Sequence, residues 1–530
     1  MADKRVEKDS LGQLELPAEV LYGINTSRSL ENFPLSGRSI KTWPDFIHAF
    51  AIVKQATARA NCEIGTLTAE QADAIYAACE EVKLGRHDAH LVVDVLEGSG
   101  GTSTNMNINE VIANLATKAS GRSLSDYSFV HPNDHVNLGQ STNDVLPTAM
   151  KLAVHRAMAG ALRTLRQLAD AFSTKREEYK SVLRLGRTCL QDAQPMTLGQ
   201  AFGGYETVTR RHAEQLDTIR EQLLIVPLGG TAIGTGFGSN PRYKKAVFRH
   251  LSSLFDTKVE PAGNAFDGMQ NMDTCARLSG ELRNTANTLW KIANDLIILS
   301  SGPSGGIGEV TLPSVQAGSS IMPGKVNPVI PIAVCQVAIA ITGNDAAIAM
   351  GCQQGMLEIN HFEMLVCDRL LDSIRLLIGA TEIFTRRCVD GIVANKDVSR
   401  KNLLASSALA TALVPTLGYA QVSTIVRAAL AEKRPFLDVV VEKGLLTEGE
   451  ITSVMERLIY DDNVSTPERS QYEPKCNGSS NHQLVESPQI TGGLPRVNGS
   501  RNASVGIRAA KNPSDAAITL LREDYKIDQN

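Results

Sequence analysis

The chain has 530 residues, 43% of them hydrophobic and 21% charged, which is the balance of an ordinary globular protein. A net charge of −4 and 5% aromatic residues argue against nucleic acid or an anionic membrane surface as a partner. The nine cysteines (62, 79, 189, 275, 335, 352, 367, 388 and 476) include no CxxC pair and no zinc spacing. No metal site is expected, and the thiols fit a reduced, cytoplasmic protein. Met1-Ala2-Asp3-Lys4-Arg5 is charged and lacks the apolar run of a signal peptide. With no run of about 18 apolar residues in view, no membrane span is expected.

Residues 1–45 are polar and turn-rich, interrupted by Pro17, Gly23, Pro34 and Gly37. Apolar residues at helical spacing follow at Phe46, Ile47, Phe50, Val53 and Ala56, and again over 70–82. Gly98, Gly100 and Gly101 break the pattern across 96–109, and a second polar loop, 131–140, leads into a long helix over 141–179. A third loop, 186–195, precedes a helix that ends near 222, and the Gly-rich stretch 227–241 is a further loop. Helical spacing resumes over 268–301 through Leu282, Leu289, Ile292, Leu296 and Leu299. Six Gly and four Pro make 302–328 a loop, and two more long helices follow near 329–352 and 361–390.

The fold class is therefore mainly α, a long-helix bundle. Several helices reach roughly 45 Å, at about 1.5 Å per residue. Helices so long and apolar seldom bury every face within one subunit, so an oligomer sharing the bundle is expected. The chain divides into an N-terminal domain at 1–140, a central helical domain at 141–395 and a small C-terminal domain at 396–460. The segment 461–530 is expected to be a flexible tail. Its Asn, Ser, Pro and Gly show little periodicity apart from a short helical return near 514–523, and Asn-X-Ser triplets start at Asn463, Asn477, Asn498 and Asn502.

Four separated loops place small hydroxyl or amide side chains beside glycine: Gly101–Asn105, Gly139–Asn143, Gly186–Cys189 and Gly318–Asn327. Any one of them fits a helix N-cap. Four together suit a small dicarboxylate gathered by hydroxyls, amides and helix N-termini. In the last loop Ser319 can act as a base only as an alkoxide, held by backbone N–H groups and a nearby cation, which Lys325 supplies.

Gly-Ser-Ser-X-Met-Pro-X-Lys-X-Asn, intact at 318–327, is the signature of the aspartase/fumarase superfamily. The chain resembles that family over about residues 10–458, including 101–107, 131–137 and 139–144. Leu228–Gly236, Ser300–Pro303, Ala317–Pro323 and Thr142 are worded like the aspartase branch. The resemblance implies a cofactor-free lyase that converts L-aspartate to fumarate and ammonia. Ser319 would be the general base, acting through an aci-carboxylate intermediate. It implies that Lys325 and Asn327 bind one carboxylate, while Thr102, Ser141, Thr142, Asn143 and Thr188 hold the other carboxylate and the amino group. It also implies a homotetramer with smaller N- and C-terminal helical domains, each site built from three subunits.

The chain departs from the pattern at several positions. Cys189 stands where fumarases and many aspartases have His, and Ile332 stands at the position of the Glu that pairs with that His in fumarases. Losing both is coherent, because a buried Glu without its partner costs several kcal/mol. It counts against fumarate hydratase and leaves Cys189 either filling space or shaping a pocket for another leaving group. Gly100 replaces Ala or Ser, which suggests a roomier pocket, and Ser304 replaces Arg. His131 is expected to be structural. Elimination from another N- or O-substituted succinate, or a non-catalytic relative, is the alternative reading.

Overall fold

The computed structural model describes residues 3–454 except 408, 448 and 452. The predicted tail, with Cys476, its Asn-X-Ser triplets and the helix near 514–523, lies outside the described residues. The remainder belongs to one compact unit, Met1–Val464.

In chain order, the hairpin β1 (Lys4–Asp9) and β2 (Gly12–Pro17) precedes helices α1 (Ile24–Asn32), α2 (Pro44–Glu63), α3 (Ala69–Lys83), α4 (Thr102–Ala119) and α5 (Thr142–Glu178). A second hairpin, β3 (Leu183–Thr188) and β4 (Gln191–Thr197), leads into α6 (Leu198–Gln222). Then come α7 (Tyr243–Leu254), α8 (Ala265–Gln270), α9 (Asp273–Leu299), α10 (Val329–Cys352) and α11 (Glu363–Arg387). The short helices α12 (Lys396–Ala405), α13 (Leu409–Leu417), α14 (Tyr419–Glu432) and α15 (Phe436–Glu442) close the described chain. The fold is mainly α. Among the described residues, the strands form four two-stranded sheets.

Helix α5 packs against α2, α6 and α11, while α9 and α10 lie side by side and α10 meets α11. Phe172 of α5 anchors this core, with ring centroids 6.3, 5.7 and 6.2 Å from Phe202, Tyr205 and Phe384. Such aromatic pairs add about 0.5–1.5 kcal/mol beyond the area they bury. A separate apolar cluster joins Leu185 of β3 to α12–α15 through Leu403, Leu413, Ile425, Phe436 and Val440.

Three expectations need correction. The turn-rich start contains a hairpin and a helix. Its alternation is inverted, because Val6 is exposed while Glu7 is buried. Glu7 accepts from the Ile24 N–H at 2.8 Å and pairs with Arg5 at 3.1 Å, and Glu110 takes the N–H groups of Gly23, Asn25 and Thr26. Two carboxylates thus cap α1, which an apolar-in rule cannot find. The second correction concerns the loop at 186–195. It is an antiparallel hairpin pairing Leu183 with Thr197 and Thr188 with Gln191. Its two-residue turn, Cys189-Leu190, has φ of 52° and 61° without any glycine. Finally, α10 is long and apolar enough to cross a membrane by length and composition alone, with a mean hydropathy of 1.6 over its window. Buried Asn344 and Asp345 interrupt its inner face.

Candidate active site

The signature loop closes on itself before α10. The Gly318 N–H donates to the Lys325 carbonyl at 2.8 Å, and Asn327 Nδ2 donates to the Gly318 carbonyl at 2.6 Å. A Cβ on Gly318 would lie 2.5 Å from the Lys325 carbonyl oxygen, so this closure requires glycine. Ser319 Oγ accepts from the backbone N–H of Ile321 at 3.2 Å and of Met322 at 2.9 Å. Lys325 is exposed, with no carboxylate within ion-pair distance among the described residues. Lys325 and Asn327 line a cavity of about 760 Å³ with Ser300, Ser301, Thr311 and Asn395.

Thr102, Ser141, Thr142 and Asn143 lie at the starts of two helices whose N-termini are already satisfied. Glu97 accepts from the N–H groups of Ser103 and Thr104 at 3.0 and 3.2 Å, leaving the Thr102 side chain exposed at the first turn of α4. Ser141 and Asp144 form a capping box on α5. The Asp144 carboxylate is fully buried and accepts from the N–H groups of Ser141, Gly229 and Thr231 at 2.9, 3.0 and 3.0 Å. Burial pushes its pKa up to about 7. These bonds join the loop 229–231 to the start of α5, where Asn143 Nδ2 donates to the Ala232 carbonyl at 2.8 Å.

Beneath Thr142 lies a polar cluster that sequence reasoning missed. The ammonium of Lys54, fully buried on α2, donates to Asn105 Oδ1 at 2.9 Å, Asn137 Oδ1 at 3.1 Å and Gln140 Oε1 at 2.8 Å. Asn105 Nδ2 in turn donates to Thr142 Oγ1 at 3.1 Å. The available signal was a lysine next to Val53 in an otherwise apolar helical stretch.

Asp144→Asn is a sharp test of the α5 start. An amide presents one acceptor oxygen, so it cannot serve the Ser141 N–H on one side and those of Gly229 and Thr231 on the other. A loss of roughly 1–3 kcal/mol is expected, seen as a lower thermal midpoint. Unchanged stability would mean that the three N–H groups do not depend on the carboxylate.

Thr188 and Cys189 sit at the exposed tip of the β3–β4 hairpin. Its base is fixed by Glu309, which is fully buried and accepts from Arg184 Nε at 2.9 Å and Arg187 Nη2 at 2.8 Å. Cys189 is exposed and does not pack into the interior of the single chain. Gly100 is likewise more than roomy. Its φ is +64°, and a Cβ there would meet His361 Cβ at 3.3 Å, while at Gly101 a Cβ would overlap Leu146. His131 has a structural role, its Nδ1 accepting from the N–H groups of Asn133 and Asp134 at 3.2 Å. Ile332 is exposed at the start of α10.

The four loops do not meet within one chain. Thr102 lines a cavity of about 750 Å³ with Ser99, Ser103 and His131, which is separate from the one that holds Lys325 and Asn327. Only the loops bearing Thr142 and Asn105 are joined by hydrogen bonds among the described residues.

A lyase family model matches residues 12–343, and the fumarase C C-terminal model matches residues 409–457. The chain belongs to this lyase family. It is 45% identical to an aspartate ammonia-lyase of Pseudomonas canavaninivorans, covering 86% of this chain and 96% of that protein. It is 42% identical to a class II fumarate hydratase of Halobacterium salinarum, over the same shares of both proteins. Among solved structures, a Brucella melitensis fumarate lyase:delta crystallin superposes with a TM-score of 0.84 at 42% identity, covering 86% of this chain and 99% of that one. Membership accounts for the intact signature loop.

Proposed function

We propose that this lyase is an aspartate ammonia-lyase, with Ser319 as the general base and Lys325 and Asn327 holding one carboxylate. The observation that carries the reading is the pair of backbone N–H groups, from Ile321 and Met322, aimed at Ser319 Oγ. Such a pair stabilises negative charge on that oxygen, which a serine needs before it can take a proton from carbon. Ser319 removes the proton next to the carbon bearing nitrogen, and the electron pair passes into the adjacent carboxylate. Its return forms the double bond of fumarate and breaks the carbon–nitrogen bond, releasing ammonia.

Thr102, Ser141, Thr142, Asn143, Thr188 and Cys189 complete the pocket around the other carboxylate and the amino group. Their separation in one chain, together with the uncovered apolar face of α10, supports a homotetramer with three subunits contributing to each site and the segment 141–395 in its shared bundle. Cys189 and Ile332, in place of a His–Glu pair, favour aspartate over malate. Eight unpaired thiols among the described residues fit a reducing, cytoplasmic setting.

Mixing the pure protein with L-aspartate, L-malate or argininosuccinate and following the ultraviolet absorbance of fumarate tests the reading. Fumarate is expected from aspartate. Its release from malate but not from aspartate would overturn the assignment.

A further inference from the structure

Lys54 is fully buried, yet its ammonium meets no carboxylate at hydrogen-bond distance. Its three protons go to three neutral amide oxygens, those of Asn105, Asn137 and Gln140. Burial pulls its pKa down to about 7, partly offset by the Asp144 carboxylate beyond hydrogen-bond reach, so the charged form is an expensive choice where an apolar side chain would pack. What the ammonium supplies is direction, because it can only donate. It forces Asn105 to present Oδ1 inward, since a flipped amide would set an NH2 group against the cation. Asn105 Nδ2 is thereby turned to Thr142 Oγ1, and its second contact, Asn137 Oδ1 at 3.1 Å, is an acceptor as well. The Thr142 oxygen is engaged as an acceptor, so its own proton is left to point elsewhere.

We propose that Lys54 is a positioning residue that sets the polarity of a one-way relay, from Lys54 to Asn105 to Thr142, which leaves the Thr142 hydroxyl as a donor to a substrate carboxylate. The relay rests on the reading of Thr142 as a dicarboxylate-binding residue. It adds a reason for that hydroxyl to donate rather than accept. Lys54 also ties Asn105, Asn137 and Gln140 to one point, so the first turn of α4 and the loop before α5 share a single anchor.

The test is a double-mutant cycle between Lys54→Met and Thr142→Val in the full-length protein, read as KM and kcat for L-aspartate and as binding of succinate, an unreactive dicarboxylate. Lys54→Met is expected to weaken succinate binding and raise KM by at least about tenfold, the loss of a hydrogen bond to a charged group, with a smaller change in kcat. In the Thr142→Val background the same substitution is expected to add less than about twofold, since the group it acts through is gone. Equal factors in both backgrounds would overturn the relay. Where Lys54→Met fails to fold, Asn105→Asp serves instead. It keeps the shape and pairs with Lys54 but removes the N–H that faces Thr142, so it should raise KM in the same Thr142-dependent way. A KM unchanged by Asn105→Asp would also overturn the relay. A wild-type protein that neither turns over aspartate nor binds succinate would remove the functional reading and the relay together, whereas normal wild-type binding with additive factors removes the relay alone.

Discussion

Ser319→Ala is expected to lower kcat on L-aspartate by about 10²- to 10⁴-fold, the range for losing a positioned general base. The thermal midpoint and the oligomeric state should not move. Both expectations follow from the local geometry, because Ser319 is only half-buried and its Oγ contacts two backbone N–H groups three residues or fewer away. The hydroxyl therefore ties nothing distant together, and the closure of the loop rests on Gly318, Lys325 and Asn327 instead. An alanine leaves the N–H groups of Ile321 and Met322 facing solvent at an exposed turn, where water replaces the lost acceptor at little cost. Fumarate absorbance under saturating aspartate gives kcat directly, and thermal unfolding supplies the control. A variant that keeps near-normal turnover would displace Ser319 as the base.

What the sequence made legible followed from how each element is stabilised. The helix predicted at 329–352 is the one observed, that at 141–179 differs by one residue at each end and that at 361–390 by two and three, because apolar periodicity and flanking breakers act locally. The start of α4 was hidden for the opposite reason. Thr104, Asn105, Asn107 and Asn109 are buried polar residues that bond to Glu97, Lys54, the Val92 N–H and Asn137 from outside the helix. A polar string with distant partners looks like a loop until those partners are known. The hairpin at 183–197 was hidden because its turn uses Cys and Leu at positive φ, where glycine or asparagine would have announced it. Of the candidate site, the residue identities were legible through motif wording. Their placement was not, because motif wording does not show that Thr102 lines one cavity of the chain and Lys325 and Asn327 another. Lys54 escaped notice because a lysine beside an apolar helical face ordinarily reaches solvent, and only the fold reveals three amide oxygens in its way.

Ile339→Glu is expected to break the assembly and, with it, activity. The exposed residues of α10 include the series Ile332, Gln336, Ile339, Gly343, Ala346 and Met350, spaced by four and three in alternation, with Ala340, Thr342 and Ala349 exposed beside it. That is a 3.5-residue period, the seam of a helix that packs against another helix. None of the six is charged, and Ile339 and Met350 are 68% and 61% exposed in the single chain. Gly343 and Ala346 leave room for close approach. The signature loop ends at the N-terminus of this helix, so in the proposed tetramer a helix packed along the seam would also bring another chain toward Lys325 and Asn327. A glutamate at the middle of the seam would put one carboxylate per subunit into an apolar interface, a cost of several kcal/mol each unless it is paired. Light scattering should then report species smaller than a tetramer of 57.0 kDa chains, and fumarate release should fall in parallel. Ile339→Leu, which keeps the apolar volume, is the control expected to remain assembled and active. A glutamate variant that stays tetrameric would place the interface on another face, and one that loses assembly but keeps full activity would mean that a single chain completes the site.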